Sequence, residues 1–190
     1  MKTATVNGQP ISEAAVNFEL DRLVRFYANH GISADEVRKS LPILREKALE
    51  QAIGAKLLLE RAAMLDMRID PAAVDAEVAK VVSQVGGEES YRKALADQGI
   101  DDESFRRELE KGVRVNALVA DACSHVGDPT EEDVASFYAA HRGDYAGRTI
   151  VDVHDEIKDL LRHEARGRAM DAYVAELRES AKIEYREVSG

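Results

Sequence analysis

The side chains that could do chemistry are few, and their spacing limits what they could do. Asp155, Asp159 and His163 recur at steps of four, so on a helix they share one face and could offer ligands to a divalent ion. Lys158 and Arg162 are interleaved with them, and there is neither a fourth ligand nor a recognised metal signature, so a solvated polar face is the better reading. Cys123 and His125 are two apart, and on a helix such residues point in different directions, which argues against a local thiol–imidazole dyad. Cys123 is expected to be a partly buried structural side chain, and as the one cysteine it forms no internal disulfide. His30 stands before Gly31 at an expected helix end, where an imidazole caps carbonyls or favours the dipole. No Ser-His-Asp set, catalytic carboxylate pair, GxGxxG or Walker pattern is recognisable. The sequence therefore points to no catalytic residue, no metal and no cofactor.

The elements that must position these residues are mostly helices. In 190 residues, 45% are hydrophobic but only 5% aromatic, so aliphatic side chains must supply most of the core. Ala, Glu, Leu, Arg and Lys dominate the mix, which favours helix. The net charge of −10 repels phosphate backbones and suits a soluble protein or a binder of basic, unfolded segments. No stretch approaches membrane-spanning length, and the first ten residues hold no apolar signal-like run. The chain as it stands reads as cytoplasmic, or as a mature form from which a signal has been removed.

Thr3 to Ile11 carries β-formers around Asn7-Gly8, a short strand and turn. Ser12 can cap a helix with Val16, Leu20, Leu23 and Tyr27 on one stripe, closed by Gly31. Ser33 and Glu36 read as a capping box for a short helix, and Pro42 as the first turn of a longer one over 42–67. That helix presents Leu44, Ala48, Ala52 and Leu59, with Leu49, Ile53 and Leu57 beside them, and is expected to be central to the core. Asp70-Pro71 opens a helix that Gly86-Gly87 breaks, and a short helix over 89–97 closes at Gly99. Asp101 or Asp102 caps a helix through Phe105, Leu109, Val113, Leu118 and Val119, before a turn at Gly127-Asp128-Pro129. Thr130 and Asp133 begin a helix with Val134, Phe137 and Tyr138 on its buried side; His141 to Arg148 loses periodicity and reads as a linker. Thr149 and Asp152 restart a helix of roughly thirty residues, and residues 181–185 alternate like a strand. A lone terminal strand needs a partner, so the two chain ends are expected to pair in a small sheet and draw the last helix back onto the first. The expected fold is all-α, with about six to seven helices by periodicity and that one small sheet. No internal repeat stands out.

Five blocks, taken in order, resemble one family. The opening ATVNGQPIS is similar to the start of the SurA and PrsA chaperone-isomerases. LREKALEQAIGAKLLLERAAMLDMRIDPAAVDAEVAKV resembles their central helical hairpin, and SYRKALADQGIDDESFRRELEKGVRVNALV the next two helices. PTEEDVASFYAAHRGDY resembles the helix before the parvulin isomerase domain, and IVDVHDEIKDLLRHEARGRAMDAYVAELRESAKIEY the helix and strand after it. The Cys123–Tyr145 stretch is also similar to the NifM branch, a cytoplasmic isomerase tied to nitrogenase maturation.

The resemblance implies a fold like the SurA N-terminal domain or the trigger-factor C-terminal domain. Residues 1–145 would form the helical chaperone region, and 149–190 would complete the same domain. At the junction 146–148 the family carries a domain of roughly a hundred residues, where this chain has only Ala146, Gly147 and Arg148. Prolyl-isomerase chemistry is therefore not expected to carry over. What the resemblance implies is an ATP-independent holdase for unfolded or nascent client polypeptides, with neither nucleic-acid binding nor membrane insertion. The residues it would use are Phe18, Phe26, Tyr27, Met64, Met67, Phe105, Phe137 and Tyr138, large and adaptable apolar groups that would line a groove between helices. Taken singly, each of them reads first as core. The alternatives are a non-catalytic scaffold from a prolyl isomerase, or a homodimer that swaps helices about the short stretch Tyr145 to Arg148.

Overall fold

The structure is a computed structural model and describes residues 2–65 and 68–187. Strand β1 (Lys2–Val6) turns at Asn7-Gly8 into β2 (Gln9–Pro10). Both turn residues have positive φ, 50° and 79°, the requirement of a tight two-residue hairpin, and Asn and Gly meet it at least steric cost. Strand β3 (Ile183–Glu187) pairs antiparallel with the other edge of β1, giving the order β2-β1-β3. Lys2 faces Glu187 and Val6 faces Ile183, while Asn7 exchanges bonds with Lys182 at 2.8 and 3.0 Å. The chain ends pair as the alternating C-terminal pattern requires.

Seven helices are found among the described residues. Helix α1 (Glu13–Asn29) starts where the Ser12 hydroxyl accepts from the Ala15 N–H. Helix α2 (Ala34–Met64) starts in the Ser33–Glu36 capping box and runs unbroken through Pro42. This corrects the expectation of two helices meeting at that proline. Pro42 withholds one amide and crowds the carbonyl of Arg38, at about 3 kcal/mol, and the apolar face of a 31-residue helix outweighs that. Asp70 and Pro71 open α3 (Pro71–Gln84). Gly86 and Gly87 then break the chain before α4 (Glu88–Gln98), and left-handed Gly99 ends that helix. Asp101 accepts from the Ser104 N–H and so caps α5 (Asp102–Ala122).

The turn after α5 falls at Cys123–His125, slightly before the expected Gly127-Asp128-Pro129, which is irregular. Thr130 and Asp133 box the start of α6 (Glu131–Ala140). The expected linker is ordered: Arg142–Tyr145 form a 3₁₀ turn, and left-handed Ala146 and Gly147 redirect the chain. Thr149 and Asp152 then open α7 (Ile150–Ser180).

The chain forms two compact units. The first holds the described residues up to Leu118 together with those from Glu176 onward; the second is Val119–Ala175, within which the 146–148 junction lies. In the first, Ala4 and Val6 of the sheet meet Val16 of α1 and Ala48, Leu49, Ala52, Ile53 and Leu57 of α2. Leu177 and Ile183 close over this core, so the end of α7 does return to the first helices. Each large aliphatic side chain buried this way contributes about 1.5–3 kcal/mol. Leu59, read as part of that face, is instead exposed. A smaller cluster holds Val78, Tyr91 and Leu95. The second unit has its own core of Val134, Val153 and Ile157.

Candidate functional site

The α1–α2 corner is built from a cap, a turn and a second cap. The last turn of α1 is closed by His30, whose Nδ1 lies 2.7 Å from the Phe26 carbonyl oxygen, the geometry of an N–H donor on a helix end. Gly31, at φ 78°, reverses the chain. Ser33 then starts α2, its hydroxyl and its N–H both donating to Glu36 Oε2, at 2.6 and 3.1 Å. Those bonds, the side-chain one foremost, hold the Glu36 carboxyl below its ordinary value.

This tight reversal leaves a groove of about 460 Å³ between the two helices. Val37 and Leu44, both buried, form its floor; Tyr27, Ile32 and Ile43 form its apolar walls. Ile43 is 68% exposed and Ile32 41%, an unusual cost for two isoleucines on one small surface. Covering what is still exposed would gain about 1–2 kcal/mol at Ile43 and about half that at Ile32. Lys39 and Lys47 stand on the rim, exposed, and among the described residues neither is ion-paired. Sequence reasoning passed over Ile32 and Ile43 because it placed Pro42 at a helix start. In one continuous helix, Ile43 stands beside the inward row of Val37, Leu44 and Ala48, and that offset is the signal that could have found it.

The eight residues singled out earlier are distributed over the fold. Phe26 and Tyr27 meet edge-on at 5.7 Å at this corner, and Tyr27 lines the groove. Phe18 stands on α1, 68% exposed, and Met64 ends α2 at 73%. Met67 lies outside the described residues. Phe105 packs edge-on against Tyr91, at 5.6 Å, in the small α3–α4–α5 cluster. Phe137 and Tyr138 pack on the core of the second unit, where the Tyr138 hydroxyl donates to the Arg148 carbonyl at 2.7 Å.

A short internal similarity also emerges. FYANH at 26–30 and FYAAH at 137–141 end their helices alike: His141 Nδ1 is 2.9 Å from the Phe137 carbonyl oxygen, as His30 is to Phe26. In both pairs the imidazole lies over the phenyl ring at 4.1 Å. These histidines are therefore helix ends, the role expected for His30.

Two of the three polar side chains spaced four apart on α7 have structural partners. Asp155 accepts from His154, and Asp159 pairs with Arg162. No group of three or more side chains able to hold a metal is found among the described residues. Cys123 is half-buried, its Sγ 3.8 Å from the Arg166 carbonyl oxygen. Tyr91 donates to Asp102 at 2.7 Å; burial, with that carboxylate second, pushes its hydroxyl up to about 12. Among the described residues, no helix is long and apolar enough to cross a membrane.

Residues 1–119 match the family of SurA-like N-terminal domains. Among solved structures, the chain is similar to one from work on the virulence factor PEB4 and the periplasmic protein Cj1289, two structurally related SurA-like chaperones of the human pathogen Campylobacter jejuni. The alignment covers 98% of this chain and 99% of that one, with a TM-score of 0.57 and 13% identity, a likeness of fold. No curated protein matches the sequence.

Proposed function

The chain belongs to the family of SurA-like N-terminal domains, and from that premise we propose that it is an ATP-independent holdase that takes extended apolar segments of unfolded polypeptides into the α1–α2 groove. The observation that carries the reading is Ile43, with Ile32 beside it and half-buried Tyr27 behind: isoleucines left open to solvent above a buried floor. Such a surface gains most from a partner that brings its own apolar side chains. Phe18, Phe26 and Met64 add exposed apolar area within the first unit. Binding by burial needs neither nucleotide nor metal. Light scattering from an aggregating client tests the reading: suppression near equal stoichiometry is expected, and undiminished aggregation would count against it.

The proposal contains no isomerisation step. Ala146 and Gly147 pass directly from the 3₁₀ turn to Arg148 and α7, so the position that holds a catalytic domain in the resembled family is a tight turn here. A proline-peptide isomerisation assay is expected to show no rate above background; catalysis would overturn this part. For the compartment, the description of Cj1289 as periplasmic favours the periplasm over the cytoplasmic reading of the sequence. Cell fractionation decides between them.

A further inference from the structure

Resting on the groove reading above, we propose that the α1–α2 groove selects extended segments in which an apolar side chain is flanked, two residues to either side, by carboxylates. The whole-chain charge of −10 points the other way, towards basic clients, but the groove does not share that charge. Its one lining carboxylate, Glu36, is already engaged by the hydroxyl and the N–H of Ser33. Its two lining cations, Lys39 and Lys47, are exposed and not ion-paired among the described residues. Two further charges nearby are paired, Asp35 with Arg38 and Arg45 with Glu13 and Asn17. Glu46, exposed beside Lys47, is one position round the helix from the lining row.

The spacing fits an extended chain. Lys39, Ile43 and Lys47 follow one another every four residues along α2, about 6 Å per step. Alternate residues of an extended peptide lie about 6.6 Å apart and point to the same side. A segment with acidic, apolar and acidic residues at every second position would therefore set its apolar side chain on Ile43 and each carboxylate near a lysine. At physiological salt, charge effects reach about 8 Å, so the lining's two lysines, set against the single Glu36 carboxylate, weigh more than the distant acidic surface.

The test is fluorescence anisotropy with the full chain and three labelled peptides of one length: Glu-Ser-Leu-Ser-Glu at the centre, and its counterparts with Gln or Lys in place of both Glu residues. The Glu peptide is expected to bind about three- to tenfold tighter than the Gln peptide, as exposed ion pairs allow, with the Lys peptide weakest. That order should flatten in the Lys39→Gln/Lys47→Gln variant and reverse in Lys39→Glu/Lys47→Glu, with circular dichroism confirming the fold of each. Equal binding of all three peptides, abolished by Ile43→Asp, would overturn charge selection and leave the groove reading standing. So would tightest binding of the Lys peptide, or an order unchanged in both double variants. Failure of every peptide to bind would overturn the groove reading and this inference with it.

Discussion

Arg178 Nη2 lies 2.7 Å from Glu50 Oε2, across 128 residues of chain. The same nitrogen reaches the Glu50 carbonyl at 3.1 Å, and the Tyr185 hydroxyl bonds the same carboxylate oxygen at 3.1 Å. One carboxylate on α2 thus fastens the end of α7 and the strand that follows it. Replacing Glu50 with Ala leaves a half-buried guanidinium short of acceptors, a loss of about 1–3 kcal/mol in urea unfolding. A double-mutant cycle with Arg178→Ala should show a coupling of at least about 0.5 kcal/mol; strict additivity would mean that the contact does not fasten these elements.

Pro42 makes a second prediction, of the opposite sign. Because it stands inside α2, Pro42→Ala restores an amide donor and relieves the crowded Arg38 carbonyl. Stability should rise by about 1–3 kcal/mol in the same urea assay. A fall would mean that the proline shapes the helix beside Ile43 in a way the core requires.

How far the sequence reached is clearest at these places. Caps and turns depend on two to four adjacent residues, so Ser12, Ser33, Asp70, Thr130 and Thr149 all begin helices as their local pattern requires. The pairing of β1 with β3 was legible because an isolated terminal strand has few partners available. Pro42 was misread because its local preference for a first turn yields to the continuous apolar face on either side of it. The candidate site suffered for it: Ile43 becomes a groove wall only once α2 has a single register, and Ile32 only once Gly31 has folded it over that helix. Phe105, Phe137 and Tyr138 read singly as core and only through the resemblance as groove, and the tertiary contacts pack them against small cores.

A histidine clasp in the second unit should make its stability depend on pH. His154 lies 2.9 Å from Asp155 and 2.7 Å from Glu131, with Lys158 at 3.2 Å from the same Glu131 carboxylate. The bonds to Asp155 and then Glu131 raise the histidine above its ordinary 6.5. A raised folded value stabilises fully below about pH 6.5 and is lost as pH rises through the folded value. Wild type should therefore melt at a lower temperature at pH 8 than at pH 6, and His154→Gln should shrink that difference. An unchanged difference would place its origin elsewhere.

The core of that unit is small enough to be decided by single side chains. Ile157 is fully buried between Val134 and Val153. Ile157→Ala should cost about 2–5 kcal/mol, by lost burial and the cavity left behind. Hydrogen exchange should show α6 and the Arg142–Tyr145 turn losing protection together, because Tyr145 packs on the same cluster.

If the groove walls hold clients, aggregation suppression must differ between wild type and Ile43→Asp. Ile43 is largely exposed, so the substitution should leave helicity and unfolding midpoint nearly unchanged. Wild type should suppress aggregation near equal stoichiometry and the variant should need several-fold more protein, since each lost 1.4 kcal/mol of apolar contact is about tenfold in affinity. Equal suppression by both proteins would contradict client binding at the groove walls.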